Sequence, residues 1–250
     1  MPSLQLDSSL PLRARSHVAA LSSAPADPTF HVEPPPHLPD WMEGGRSRLA
    51  QYALLLATTG VERGLIGPRE VPRLWSRHLL NCAVIADPEL ELVWPGARVA
   101  DIGSGAGLPG VVWALVRPDV SVVLLEPLLR RATFLEEAVV ELGLSGRVQV
   151  RRVRAEDIAQ DPSWEPADVV TARAVAPLGT LLTWMRPLAT PQGTLLALKG
   201  ERAQEEIDAV REDMHNRDRY ADLDLSIHRV GAGVVDPQTT VVVGRARTAQ

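Results

Sequence analysis

The sequence predicts a doubly wound α/β fold, a mostly parallel sheet of seven strands with a small helical cap ahead of it. Three observations carry this. Short apolar runs alternate with segments of helical periodicity, the pattern of a sheet built from strand–helix–strand units. One run ends on an acid and enters a loop with four glycines between Gly103 and Gly110. The chain has 250 residues, 45% of them hydrophobic, enough for one such domain with attachments.

Residues 1–40 hold eight prolines, including Pro34-Pro-Pro36, and no sustained apolar period, so they are expected to form a disordered tail. From 41 to about 95 the pattern is that of a helical cap. Arg46 to Ala57 puts Leu49, Tyr52, Ala53 and Leu56 on one face, and Gly60 and Gly64 are expected to end that helix. Pro68 opens a second, with Leu74, Trp75, His78, Leu79 and Cys82 along a stripe. The core is expected over 96–250. Arg98–Ile102 reads as a first buried strand. Pro109 suits a helix start and Arg117-Pro118 its stop. Ser121–Leu125 is strand two; Arg130–Leu142 is a helix with Phe134, Leu135, Ala138, Val139 and Leu142 on one face, ended at Gly143. Arg147–Val153 and Asp168–Ala172 are strands three and four, Thr180–Met185 a helix, Gly193–Lys199 strand five and Glu201–Met214 a charged helix. Leu225–Val230 and Thr239–Val243 close the sheet as an antiparallel end.

Composition removes several classes of function. A single cysteine, Cys82, excludes a disulfide framework and a thiolate zinc site, and no metal is expected. No apolar run reaches the ~18 residues of a membrane span, and no signal-peptide core opens the chain; a reducing, cytoplasmic setting fits. The net charge of −5 offers no global field for nucleic acid, so any RNA contact must be a local patch. Of 26 basic side chains one is a lysine, Lys199.

The glycine loop supports two ligands. Gly105-Ala-Gly-Leu-Pro-Gly110 matches the G-x-G-x-x-G dinucleotide fingerprint, with the acid Glu126 downstream, so a nicotinamide-dependent oxidoreductase is one reading. Asp101-x-Gly103-x-Gly105-x-Gly107 instead resembles motif I of the S-adenosylmethionine-dependent methyltransferases, of Rossmann-like class I architecture, and the acid before the first glycine favours it. In such sheets ligands bind at the carboxyl ends of the strands, where the other candidates fall. Glu126 can accept ribose hydroxyls. Ala155 and Glu156 follow strand three, where adenine lies in this architecture. Arg173, after strand four, can bind the cofactor carboxylate, a phosphate or a guanine O6. Lys199 ends strand five and, with Arg173, is the candidate for positioning the reaction.

What is missing narrows the chemistry. After strand four, Thr171-Ala-Arg-Ala-Val-Ala-Pro177 lacks the Asn/Asp-Pro-Pro-aromatic motif that holds an exocyclic amine. Carbon-5 pyrimidine methylation needs a cysteine nucleophile, and Cys82 lies in the cap. The two-lysine pattern of ribose methylation cannot be met by one lysine. Guanine N7 carries a free lone pair and needs no deprotonation, which makes it the economical acceptor. Arg147, Arg151, Arg152 and Arg154 form a basic run suited to phosphates, with Arg77 and His78 of the cap as a second surface. A solvated strand face accounts for the run equally well, and a small-molecule or protein acceptor, or a ligand-binding role without catalysis, stays open on these residues.

Five motifs occur in order: Arg77-His-Leu-Leu-Asn81, Asp101-Ile-Gly-Ser-Gly-Ala-Gly-Leu-Pro-Gly110, Arg130-Arg-Ala-Thr-Phe-Leu135, Thr171-Ala-Arg-Ala-Val175 and Ala197-Leu-Lys-Gly200. Together, over 41–250, they resemble the small-subunit ribosomal RNA guanine-N7 methyltransferase G family, also called glucose-inhibited division protein B. The resemblance implies methyl transfer from S-adenosylmethionine to N7 of a guanine in 16S ribosomal RNA, with cofactor contacts at Gly103, Leu108, Ala155, Glu156 and Arg173 and no assigned general base. Two features depart from the family: the proline-rich tail, and Gly60-Val-Glu-Arg-Gly-Leu-Ile-Gly67 in place of a lysine- and asparagine-bearing turn. The negative charge points to a small-subunit particle as partner rather than free RNA.

Overall fold

The computed structural model describes residues 32, 36–213 and 219–247; apart from 32 and 36–40, the expected tail over 1–40 lies outside them. Seven strands among the described residues form one sheet: β1 (Arg98–Ile102), β2 (Ser121–Leu125), β3 (Val148–Arg151), β4 (Ala167–Arg173), β5 (Ala189–Lys199), β6 (Leu223–Val230) and β7 (Thr239–Ala246), in the order β3-β2-β1-β4-β5-β7-β6. Strands β1 to β5 pair in parallel, and β7 is antiparallel to both β5 and β6. Strand order reverses between β1 and β4, the crevice where ligands bind in such sheets.

Around the sheet lie α1 (Asp40–Glu43), α2 (Arg46–Leu55), α3 (Leu80–Ala83), α4 (Gly110–Val116), α5 (Leu129–Glu141), α6 (Ala155–Ile158), α7 (Leu178–Met185) and α8 (Ala203–Glu212). All seven residues of α4 are buried, because the cap covers its outer side. The expected apolar face of α5 and its end, Phe134, Leu135, Ala138, Val139 and Leu142, is buried; each of these side chains larger than alanine contributes about 1.5–3 kcal/mol relative to exposure.

The cap departs from its expected outline. Gly60 does not end the helix that α2 begins. A π-helical turn, Leu56–Gly60, carries it on, and the stop comes at Gly64, whose φ of +65° suits a residue without Cβ. Pro68–Arg73 is 3-10, Leu74–Leu79 is π-helical and α3 follows. Pro72, without an N–H, sits where that winding changes. Hydrogen bonds tie cap to core: Tyr52 Oη donates to the Ala106 carbonyl and Trp113 Nε1 to the Cys82 carbonyl at 2.7 Å. Buried Arg117 donates to the carbonyls of Ala86 and Val93 and, through two nitrogens, to Asp119. That pairing holds the Asp119 carboxyl down at about 2.

Candidate active site

β1 brings Asp101 to the carboxyl edge, fully buried, and the chain leaves through the glycine loop. Gly103, Gly105 and Gly107 all take positive φ. Around Gly105 there is room: a Cβ would meet only the Gly103 carbonyl, at 3.8 Å. At Gly110 there is none. A Cβ there would stand 2.5 Å from Leu124 Cδ2 and 2.8 Å from Asp101 Oδ2, so α4 can lie against β1 and β2 only with a glycine in its first turn. The Gly110 N–H donates to Asp101 Oδ2 at 3.0 Å, while Oδ1 is buried without a hydrogen-bond partner among the described residues. Burial, opposed by the Gly110 bond, pushes the Asp101 carboxyl up to about 7.

Glu126 follows β2 and is also buried. Its Oε2 accepts the Gly105 N–H at 2.9 Å and its Oε1 the Leu128 N–H at 3.0 Å. The carboxylate therefore braces the loop, and each oxygen keeps a further lone pair. Leu108 is half-buried in the loop, Ala155 is buried at the start of α6, and Glu156 beside it is exposed. The β1–β2 side of the edge thus combines bare loop backbone with two buried carboxyl groups, Asp101 and Glu126. That set fits a ligand carrying an ammonium group and hydroxyls, as S-adenosylmethionine does.

Across the crevice, β4 ends in Arg173 and β5 in Lys199, on a cleft of about 1100 Å³ whose lining includes Arg77, Asn81, Arg229 and Thr239. Arg173 Nη1 donates to Cys82 Sγ at 3.0 Å, and Nη2 to the Arg77 carbonyl at 3.3 Å and His78 Nδ1 at 2.9 Å. Three of its five N–H donors are so placed on cap residues; the Nε–H and one Nη1–H have no partner among the described residues. Lys199 Nζ lies 2.8 Å from the Ala176 carbonyl and 2.7 Å from Glu206 Oε2. The same Glu206 oxygen accepts the Leu178 N–H. Lys199 therefore fixes the segment between β4 and α7, in which Ala174 takes a φ of +53° and Val175 packs over Gly103.

The structure does not bring the four expected arginines together. Arg147 precedes β3, at the end of the sheet away from the crevice, and donates to the carbonyls of Ala114, Arg117 and Val120, so its guanidinium closes the carboxyl end of α4. Arg151 pairs with Asp161 at 3.3 Å. Arg152 and Arg154 are exposed near the carboxyl end of β3. Arg77 is exposed and pairs with Glu70, which also meets His78 Nε2 at 2.9 Å. Sequence reasoning missed Tyr52 as a brace of the glycine loop, Glu70 behind His78, and Arg229 in the cleft. Tyr52 and the buried part of the His78 stripe read as plain core, and β6–β7 gives no local sign that it borders a site.

Among the described residues no helix is long and apolar enough to cross a membrane, and no group of three His, Cys, Asp or Glu side chains could hold a metal ion. Residues 46–225 match the family model described as rRNA small subunit methyltransferase G. The chain is 51% identical over 219 residues to ribosomal RNA small subunit methyltransferase G of Mycolicibacterium gilvum, covering 87% of this chain and 92% of that protein. It is 57% identical over 193 residues to the protein of the same name from Thermobifida fusca, covering 77% and 76%. Among solved structures, cofactor-bound Rv0187 from MTB aligns with a TM-score of 0.54 at 19% identity, over 81% of this chain and 91% of that one, a likeness of fold.

Proposed function

The chain belongs to the rRNA small subunit methyltransferase G family, and from that premise we propose that it methylates N7 of one guanine in 16S ribosomal RNA. It is an S-adenosylmethionine-dependent rRNA methyltransferase; the guanine N7, a small-subunit particle as the RNA's carrier and a cytoplasmic setting are our reading. When bound, S-adenosylmethionine supplies an electrophilic methyl group. The loop from Gly103 to Leu108, Asp101 Oδ1, Glu126 and the Ala155–Glu156 turn are the groups we assign to holding it.

The observation that carries the N7 reading is the placement of Arg173. Its guanidinium stands on the cleft side of the crevice with two N–H donors that have no partner among the described residues, and it can accept neither a proton nor a hydrogen bond. Such a group orients an acceptor by hydrogen bonding; it cannot deprotonate one. Guanine N7 requires only that, and O6 beside it is an acceptor that the Arg173 fork can hold. Lys199 acts on the same chemistry through the Ala176 carbonyl and Glu206, by fixing the segment that follows Arg173. Arg77, with Arg152 and Arg154 at the far end of the edge, are the phosphate contacts we assign to RNA.

Transfer of tritium from labelled S-adenosylmethionine to naked 16S RNA, small subunits and intact ribosomes, followed by nucleoside analysis, tests the reading. Label in 7-methylguanosine, greatest with small subunits, is the expected result. Label on another nucleoside overturns the N7 assignment.

A further inference from the structure

His78 and Glu70 lie in the cap, ahead of the strands, yet they reach the group at the end of β4. Glu70 Oε2 lies 2.9 Å from His78 Nε2, and His78 Nδ1 lies 2.9 Å from Arg173 Nη2. A guanidinium nitrogen only donates, so Nδ1 must accept; the ring proton then sits on Nε2 and points at the Glu70 carboxylate. The tautomer is fixed from both sides. Burial also lowers the His78 pKa, against the raising effect of Glu70, which favours the neutral ring this geometry needs. The Arg77 carbonyl and Cys82 Sγ supply the other two contacts, but Cys82 Sγ is a weak acceptor, and the Arg77 carbonyl lies at 3.3 Å. The His78 bond is the short, directional one.

We propose that His78, held by Glu70, is a positioning residue that aims the Arg173 guanidinium at the methyl acceptor, so that the cap contributes to turnover without touching the RNA at this point. The inference rests on Arg173 facing the acceptor. It makes a specific demand: what matters at 78 is an acceptor at the Nδ1 position, not a ring and not a charge.

Methylation of small subunits lacking the modification, with kcat and KM measured for the RNA, tests this in Arg173→Ala, His78→Phe, His78→Asn and Glu70→Gln. S-adenosylhomocysteine affinity by calorimetry and thermal melts accompany each variant. His78→Phe keeps the ring volume and removes the acceptor; kcat/KM should fall about tenfold, with S-adenosylhomocysteine affinity held within about twofold. His78→Asn puts an amide oxygen near the Nδ1 position and should recover most of that loss. Glu70→Gln should fall between them. The proposal is overturned if His78→Phe matches the wild type while Arg173→Ala is impaired, if Phe and Asn variants are equally impaired, or if S-adenosylhomocysteine affinity falls in step with kcat/KM. Wild-type activity in Arg173→Ala sinks instead the reading on which the inference rests. If the Phe variant melts early, His78→Ala takes its place in the comparison with Asn.

Discussion

On the β1–β2 side of the carboxyl edge, charged side chains hold backbone. Asp101 takes the Gly110 N–H, and Glu126 takes those of Gly105 and Leu128. On the β4–β5 side, side chains also hold one another: Arg173 is set by His78 and Cys82 besides the Arg77 carbonyl, and Lys199 by Glu206 besides the Ala176 carbonyl. The first half is assembled from residues 101–128, close in sequence. The second draws on the cap, two strands and α8. A site made of backbone tolerates little change of shape but tunes slowly; one made of paired side chains can be altered one partner at a time. Cofactor binding and acceptor handling should therefore respond differently to substitution.

The sharpest break is Gly105→Val. A Cβ at Gly105 meets almost nothing in the protein, so the fold should lose only the strain of a left-handed residue, about 1–2 kcal/mol. S-adenosylhomocysteine binding should weaken by more than about 100-fold, because the side chain fills the face the loop offers a ligand. Calorimetry showing unchanged affinity removes the loop from the site. Gly110→Ala reverses the pattern: its Cβ runs into Leu124 and Asp101, and urea melts should show a loss of about 3 kcal/mol, with binding reduced only as far as the fold is lost.

On the other half, Arg173→Ala should lower kcat/KM for RNA about 30-fold and stability by less than about 1 kcal/mol, as judged by initial rates and melts on one preparation. Normal turnover in the folded variant makes the two halves alike in having no acceptor-side group of this kind.

Two of the perturbed aspartates, Asp101 and Asp119, act on the pH dependence of stability in opposite senses. The Asp101 carboxyl is raised by burial in the folded state to about 7, from its ordinary 3.8. The native chain then binds the extra proton, and the stability so conferred is complete in acid and is lost as pH rises from about 4 to about 7. Asp119, lowered to about 2 by Arg117, acts in the opposite sense: its contribution is present above about 4 and is lost as pH falls toward about 2. Asp101→Asn should flatten only the upper window and Asp119→Asn only the lower, in denaturant melts across pH. An Asp101→Asn profile that runs parallel to the wild type between pH 4 and 7 refutes the assignment to Asp101.

The smallest effect separates the arginines of the β3 run. Arg154→Ala should weaken RNA binding about twofold and make its salt dependence shallower by roughly one unit of slope. Arg147→Ala should leave RNA binding as it is and cost about 1 kcal/mol of stability, since it caps α4 carbonyls. Equal loss of RNA affinity in both would restore the run as one surface.

The amino-acid sequence by itself determined the sheet and the glycine loop at its carboxyl edge. Strand cores such as Val122–Leu125 and Val169–Val170 are apolar because both faces of a parallel sheet are covered, and that leaves a local pattern. The glycine loop is local too, since left-handed backbone in consecutive turns selects glycine whatever surrounds it. Only the tertiary structure decided that Gly60 lies inside a continuing helix, that Arg147 and Arg154 work at opposite ends of a strand, and that Lys199 holds a loop. It alone joined Glu70, His78 and Arg173 across about a hundred residues of chain. A hydrogen bond between side chains depends on where two backbones come to rest, and nothing in the sequence beside His78 carries the position of β4.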